Sequence, residues 1–144
     1  MTKIGKLGEQ IVAKWLEKQG WLILHHRWRC RWGEIDLIAQ EKGSNNLAFV
    51  EVKTRKTRNW DLNGLLAITP QKQAKLWQTA EIFLSQYPHL INFSCRFDVA
   101  LVSYNIDHQI SEENMNLSNI NIGEPISWLG YQFTLINYIE SAFD

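Results

Sequence analysis

The chain has 144 residues, 45% of them hydrophobic, and its 15 Lys and Arg residues balance 15 Asp and Glu residues. This length predicts a single domain, residues 1–144, with a substantial apolar core. The sequence contains no apolar run as long as a membrane span and no charged-then-apolar leader pattern. We therefore expect a cytoplasmic protein with no membrane partner. Cys30 and Cys95 form no CxxC pair, which disfavours a zinc site and predicts small buried side chains.

The net charge of zero conceals a basic segment of the chain. Residues 25–58 hold eight Lys or Arg residues against four acids, a net charge of +4, and the remainder carries −4. A local basic surface can bind a phosphate backbone whatever the total charge is. An ordinary solvated strip of Arg and Lys would give the same count. The segment therefore needs support from other residues before it indicates a nucleic-acid partner.

Residues 3–19 predict the first helix, because apolar residues recur at helical spacing and Gly20 follows as a stop. Gly8 falls on the apolar face, where it would let the helix approach a sheet closely. Glu9 lies at the margin of that face. It is either a solvated flank residue or one that reaches a site on the sheet.

Residues 21–30 predict the first strand. His25 and His26 are adjacent there, so they point to opposite faces and cannot together bind one metal ion. We interpret both histidines as structural.

Arginines alternate with tryptophans at the end of this strand. Trp28 and Trp32 interleave with three arginines that would share one face and lead into the next strand: Arg27, Arg29 and Arg31. This alternation suits phosphate contact combined with stacking on exposed bases. The alternative is that the tryptophans belong to the core, which we favour for Trp28 over Trp32.

The segment 33–39 predicts a second strand, because charged and apolar residues alternate at period two. Glu34 and Asp36 would point to one face, and Ile35 and Leu37 to the other. A short loop, residues 41–46, would join this strand to the next one as a hairpin.

The segment 49–55 predicts the third strand, with Glu51 and Lys53 on one face and Val50 and Val52 on the other. In a hairpin, Asp36 and Glu51 could sit side by side with Lys53 one step further along. Two carboxylates and an ammonium on one sheet face suit a divalent metal and a proton donor.

Glu-x-Lys alone is a weak signal, because any half-exposed or edge strand shows polar alternation. Asp36 on the preceding strand changes this interpretation. So does the apolar character of Phe49, Val50 and Val52, which is too strong for an edge. Together they predict a central strand with a functional cluster, because buried charges need a partner or a metal.

Asp36 followed by Glu51-Val52-Lys53 on the next strand resembles the PD-(D/E)xK nuclease core. The fuller segments 27–39 (RWRCRWGEIDLIA) and 49–55 (FVEVKTR) are similar to the YraN-like family, over roughly residues 5–104. That family is related in fold to archaeal Holliday-junction resolvases. The resemblance implies an α/β restriction-endonuclease-like core, in which helices flank a mixed β-sheet in the order α-β-β-β-α-β. It also implies a metal-dependent endonuclease acting on DNA, including branched or structured DNA.

The nuclease interpretation gives each residue of this motif a role. Asp36 and Glu51 would bind Mg²⁺ or Mn²⁺ through oxygen, and the backbone carbonyl of Val52 would add a ligand. Lys53 would orient the attacking water or stabilise the transition-state oxyanions. The resemblance also favours a role for Glu9 in completing the metal shell, because related nucleases often place a Glu of the first helix there.

Other residues would support the reaction. Glu34 could act as a partner of the metal ligands. Lys72 matches a lysine of YraN-like sequences, and it either contacts a phosphate or extends along the core surface to solvent. The candidate phosphate-binding residues are Arg27, Arg29, Arg31, Arg55 and Lys72.

The remaining segments complete the prediction. Residues 55–68 would form a mobile loop beside the site. Thr69-Pro70 would begin a helix that runs to Tyr87. Residues 93–103 would form a fourth strand with a structural Asp98, and 105–125 a polar, flexible loop. Residues 128–143 would form a last strand and a short helix.

Two further expectations concern assembly and activity. Resolvase-like relatives are often two-fold dimers, so the resemblance favours a homodimer. A function of a different class is a non-catalytic nucleic-acid-binding or interaction module on a nuclease scaffold, because fold does not guarantee activity. No residue of the motif is missing, which disfavours that alternative.

Overall fold

The computed structural model describes residues 2–57, 68–107 and 119–144. Within these ranges it has two α-helices, α1 (Lys3–Lys18) and α2 (Pro70–Gln86), and a 3₁₀ helix, Pro88–Leu90. The strands are β1 (Trp21–Cys30), β2 (Gly33–Glu41), β3 (Asn46–Lys56), β4 (Ser94–Ile106), β5 (Ile126–Trp128) and β6 (Tyr131–Phe143). These described strands form one sheet in the order β1-β2-β3-β4-β6-β5.

The sheet is mixed, as the sequence predicted. Strands β1, β2 and β3 are antiparallel neighbours, and the predicted hairpin of β2 and β3 is confirmed. Strand β4 lies parallel to β3 after the crossover through α2, and β6 then pairs antiparallel with β4. Strand β3 is therefore central, with a hydrogen-bonded neighbour on each side.

Helix α1 covers one face of the sheet. Thr2 caps its start by accepting a hydrogen bond from the Gly5 N–H at 3.0 Å. Its buried side chains pack on apolar residues of β2, β3, β4 and β6, among them Leu37, Val50, Val102 and Phe133. Gly8 lies where α1 crosses β3, and a Cβ there would overlap Thr54 Oγ1. The predicted close approach of helix and sheet is therefore confirmed.

Helix α2 covers the other face. Thr69 accepts a hydrogen bond from the Lys72 N–H at 3.2 Å and Pro70 follows it, which confirms the predicted start. Its buried Leu76, Ala80 and Phe83 pack on apolar residues of the sheet. Because each helix covers one face, the central strands are largely apolar on both sides, apart from the site and the Asp98 cluster described below.

The last part of the chain differs from the prediction. A short helix was expected within residues 128–143, and the structure instead has the β5–β6 hairpin. Leu129 (φ 51°) and Gly130 (φ 85°) make the tight turn. Phe133 and Leu135 are both buried, so this segment has strand periodicity rather than helical periodicity.

Several residues predicted to lie in the polar loop, 105–125, belong to the folded body instead. The first two belong to β4, and Ile120 is buried in the core cluster beneath α1. Lys18 holds the following turn by donating a hydrogen bond to Asn121 Oδ1 at 2.8 Å. Residues 108–118 lie outside the described residues, and so do residues 58–67 of the predicted mobile loop.

Two expectations from composition can be compared with the structure. Across the described ranges, neither helix is long and apolar enough to cross a membrane. Cys30 and Cys95 are free thiols, and each is half-buried rather than fully buried as expected.

Gly8→Ala should destabilise the protein, although Ala usually stabilises a helix by about 1 kcal/mol relative to Gly. The overlap with Thr54 Oγ1 should outweigh that gain, since overpacking typically costs about 1–3 kcal/mol. Urea unfolding measures the change. In a Thr54→Ala background the same substitution should cost less, and an equal cost in both backgrounds would contradict the contact.

Candidate functional site

The site forms where β2 and β3 separate. Their pairing runs from Gln40↔Leu47 to Leu37↔Val50 and stops there. Beyond it, Asp36 Oδ2 accepts a hydrogen bond from the Val52 N–H at 2.7 Å, so a carboxylate takes the place of a ladder carbonyl. A strand residue directs its N–H and C=O to the same side. The Val52 carbonyl therefore also faces the gap that contains Asp36.

The chain twists out of regular alternation at this gap. Ile35 packs in the cluster beneath α2, whereas Leu37 packs in the cluster beneath α1. The prediction that Ile35 and Leu37 share a face is therefore wrong. The physical cause lies on the neighbouring strand, where Arg27 has a left-handed φ of 49° between the pairs His26↔Leu37 and Trp28↔Ile35. Glu34 and Asp36, which were predicted to share the other face, both lie close enough to Glu9 of α1 to shift its pKa.

Glu51 and Lys53 approach from the α2 side. Glu51 Oε1 is 2.9 Å from Lys72 Nζ, which α2 places at the third position of its first turn. Lys53 is buried, with 7% of its surface exposed, although it belongs to the most frequently solvated residue type. Lys72 forms an ion pair with a carboxylate of the motif, and its predicted contact with a phosphate stays a prediction.

Glu9 approaches from the α1 side. It is 5% exposed, and its Oε2 is 3.5 Å from Arg27 Nη2. Arg27 Nε is buried without a hydrogen-bond partner among the described residues. A groove of about 710 Å³ opens above this pair, lined by Lys6, Glu9, Gln10, His26, Arg27 and Arg29.

The other predicted residues spread away from the gap. Glu34 accepts a hydrogen bond from Arg29 Nε at 2.7 Å. Arg31 does not share the face of Arg27 and Arg29, because it lies in the turn after β1, with its guanidinium 5.2 Å from the Trp32 ring centroid. Arg55 is exposed on β3 and donates to the Thr54 carbonyl.

Lys6, Gln10 and His26 line the groove and were not predicted as site residues. Lys6 lies one turn before Glu9, and Gln10 lies one turn after Lys6, so helical spacing could have indicated them. His25 packs against Phe83 on the α2 side, so the adjacent His26 points to the α1 side and into the groove by strand alternation.

Burial at and beside the gap shifts the pKa values of three groups toward their neutral forms. Burial raises the pKa of Asp36 to about 8, the charge of Glu51 adds to the rise, and the Val52 N–H opposes it. Burial lowers the pKa of Lys53, and the nearby Lys72 charge lowers it further. Burial also raises the pKa of Glu9, against the opposing charge of Arg27. Perturbed pKa values of this kind are typical of functional sites.

No three His, Cys, Asp or Glu side chains in the described part of the chain converge on one metal position. Glu9 pairs with Arg27, and its charge also raises the pKa of the neighbouring Asp36. Its predicted role in completing the metal shell stays a prediction. The donors at the gap itself are Asp36, Glu51 and the Val52 carbonyl. All are oxygens, which are the ligands that Mg²⁺ prefers, and Mg²⁺ commonly keeps several waters with only one or two carboxylates.

Asp98 forms a separate buried cluster. It is fully buried and accepts hydrogen bonds from the Tyr138 hydroxyl at 2.6 Å and the Ser141 N–H at 3.0 Å. Arg96 lies 3.1 Å from the same carboxylate. Burial raises the pKa of Tyr138, and the charge of Asp98 adds to the rise. The cluster joins β4 to β6, so the structural role predicted for Asp98 is confirmed.

The model of the Uncharacterised protein family UPF0102 matches residues 8–102, which include Glu9 and the whole β2–β3 motif. The chain belongs to this family. The predicted membership of the YraN-like family is thereby confirmed.

Relatives within the family resemble the chain over almost its full length. A UPF0102 protein of Acaryochloris marina is 48% identical over 98% of this chain and 90% of its own. A UPF0102 protein of Trichodesmium erythraeum is 52% identical over 96% of this chain and 87% of its own. One of Synechocystis is 46% identical over 99% of both chains. The matched region includes the candidate site, and the family description names no activity.

The stability of the metal-free protein should fall as pH rises from about 4 to 8, relative to that of Asp36→Asn. Asp36 has a pKa of about 8 when folded and the ordinary value of 3.8 when unfolded. The folded state therefore retains a proton that the unfolded state loses, and stability declines by at most about 1.4 kcal/mol per pH unit. Urea unfolding in EDTA measures it. A difference between the two proteins that does not change with pH would contradict the shifted carboxyl.

Proposed function

We propose that the chain is a metal-dependent endonuclease that hydrolyses phosphodiester bonds in DNA. The observation that carries this proposal is that the buried Asp36 carboxylate accepts a hydrogen bond from the Val52 N–H. Val52 lies between Glu51 and Lys53 on the central strand β3. The same arrangement supports a restriction-endonuclease-like fold and the proposed relationship to Holliday-junction resolvases. Basic residues around the gap suit a nucleic-acid substrate. The resemblance to Holliday-junction resolvases favours branched or structured DNA, in a cytoplasmic protein that acts as a homodimer.

The donor set fits Mg²⁺ or Mn²⁺ on physical grounds. Asp36 and Glu51 are close enough for the charge of one to raise the pKa of the other. A divalent cation would remove this repulsion. Asp36, Glu51 and the Val52 carbonyl would hold it, and once bound it would supply an activated water and offset charge on the phosphate.

Lys53 then has the position and chemistry to act on the phosphate. Its ammonium is buried, follows Glu51 on the same face of β3 and has a lowered pKa. Held there, it would donate a hydrogen bond to the oxyanion that develops during hydrolysis, or orient the attacking water. The Lys72 ammonium lies 2.9 Å from Glu51 Oε1 and would balance the charge of this carboxylate until a substrate phosphate binds and takes over the lysine.

The groove between α1 and β1 would hold the DNA backbone. Its lining includes Lys6, Arg27 and Arg29, and Arg27 Nε is buried without a partner. Arg55 is exposed on β3, which continues from the motif. Lys and Arg side chains bind phosphates by charge and release counterions, so binding should weaken as salt rises.

Asp36→Ala and Glu51→Ala should abolish Mg²⁺- or Mn²⁺-dependent cleavage of branched, flapped or linear DNA. Lys53→Ala should lower the rate by roughly 100-fold or more, because it removes a donor to the developing oxyanion. Gel assays with labelled DNA measure this. Glu17→Gln, which changes an exposed carboxylate of α1 away from the gap, is the matched control and should cleave normally.

The result also separates the two classes of function. Calorimetry should detect Mn²⁺ binding that Glu51→Ala abolishes. Cleavage that persists in Asp36→Ala and Lys53→Ala would show that this site is not the catalyst. Salt-sensitive DNA binding without cleavage, indifferent to metal and to Asp36, would identify a non-catalytic binding module instead.

Lys72→Met should strengthen Mn²⁺ binding by roughly 2- to 5-fold while slowing cleavage, because it frees Glu51 from a partly exposed ion pair. Calorimetry and single-turnover cleavage measure the two effects separately. Lys75→Met, an exposed change further along the same helix, should alter neither. An unchanged Mn²⁺ affinity in Lys72→Met would contradict competition between this ammonium and the metal.

A further inference from the structure

The turn between β1 and β2 presents an exposed tryptophan beside the site. Trp32 is 52% exposed, although most tryptophans are largely buried. Arg31, the preceding residue, places its guanidinium 5.2 Å from the ring centroid. A cleft of about 350 Å³ surrounds them and is lined by Arg29, Cys30, Arg31, Trp32, Gly33 and Glu34.

Local contacts order the turn, and Gly33 packs it against α2. The Trp32 N–H donates to Cys30 Sγ at 3.4 Å, and Arg29 and Glu34 form an ion pair across its base at 2.7 Å. Gly33 packs so closely on α2 that a Cβ would lie 2.7 Å from Thr79 Oγ1. A ring presented on a fixed support loses little freedom when it binds a ligand.

The surroundings of Trp32 indicate which kind of ligand it fits. The other large exposed apolar residues in the described ranges lie elsewhere, such as Leu22 at the far end of β1 and Leu129 in the β5–β6 turn. Trp32 is therefore not part of an apolar patch of the kind that forms the core of a protein interface. An aromatic face flanked by arginines instead suits a nucleobase that stacks and a phosphate that is neutralised.

The turn also lies at a useful distance from the site. Arg29 lines both this cleft and the groove that contains Glu9 and Arg27. Gly33 and Asp36 are three residues apart on β2, which is on the order of 10 Å along a strand.

From these observations we infer that the β1–β2 turn stacks an unpaired base of the substrate on Trp32, with Arg29 and Arg31 on the adjoining phosphates. This inference rests on the proposed nuclease function and specifies its substrate. The substrate class is DNA with a single-stranded arm next to the scissile phosphate, and intact duplex is disfavoured because its bases are already stacked.

Binding measured by fluorescence anisotropy in EDTA tests this inference independently of cleavage. The probes are a blunt duplex, the same duplex with a single-stranded oligothymidine arm, and that duplex with an abasic arm. Wild type should bind the base-bearing arm roughly 5- to 150-fold more tightly than the abasic arm, the range expected for stacking of a base on an aromatic ring.

Substitutions of Trp32 test whether its ring causes the preference for the base-bearing arm. Trp32→Ala should abolish the difference between the two arms, while leaving binding of the blunt duplex unchanged. Trp32→Phe should retain most of the difference, which also guards against loss of folding in the alanine variant. Leu129→Ala removes an equally exposed apolar side chain from the β5–β6 turn and should change nothing.

The outcomes separate this inference from the proposed function. Equal binding of both arms by wild type, or a preference that survives in Trp32→Ala, would overturn the inference even if the protein cuts DNA. A preference that depends on Trp32 in a protein that cuts no DNA would support base stacking and refute the proposed hydrolysis.

Discussion

The hydrogen bond from the Val52 N–H to Asp36 is the interaction on which the rest of the site depends. It occurs where the β2–β3 ladder stops after Leu37↔Val50. A buried strand N–H needs an acceptor, and here a carboxylate supplies it. Bringing that carboxylate between two central strands removes it from water, which is the main reason for its raised pKa. The need of the Val52 N–H for an acceptor thus accounts for both the buried position of Asp36 in the gap and its raised pKa.

The two helices bring complementary charges to the gap from opposite faces of the sheet. Helix α1 contributes Glu9, which Arg27 balances, and α2 contributes Lys72, which balances Glu51. Each helix packs closely on a segment next to the motif, α1 through Gly8 on Thr54 and α2 through Thr79 on Gly33. Small residues at these crossings fix the helices at a distance that lets long side chains reach the gap.

Much of this arrangement could be predicted from local signals. Alternating residues predicted β2 and β3, the apolar flanks of Glu51 predicted a central strand, and Thr69-Pro70 predicted the start of α2. The separate faces of Ile35 and Leu37 could not be predicted, because they depend on a left-handed Arg27, a conformation that non-glycine residues adopt only in tertiary context. The Lys72–Glu51 pair also depends on tertiary packing, since its partners are 21 positions apart.

Charge balance explains how such a site can be built into a stable core. Two carboxylates near each other in a buried gap are costly when both are ionised. The protein reduces this cost by retaining a proton on Asp36 and by placing the Lys72 ammonium on Glu51. A cation that entered the gap would have to displace both, so its binding would release a proton and would be weaker at low pH. The same features that lower the cost of the buried carboxylates would therefore also limit the affinity of the proposed metal.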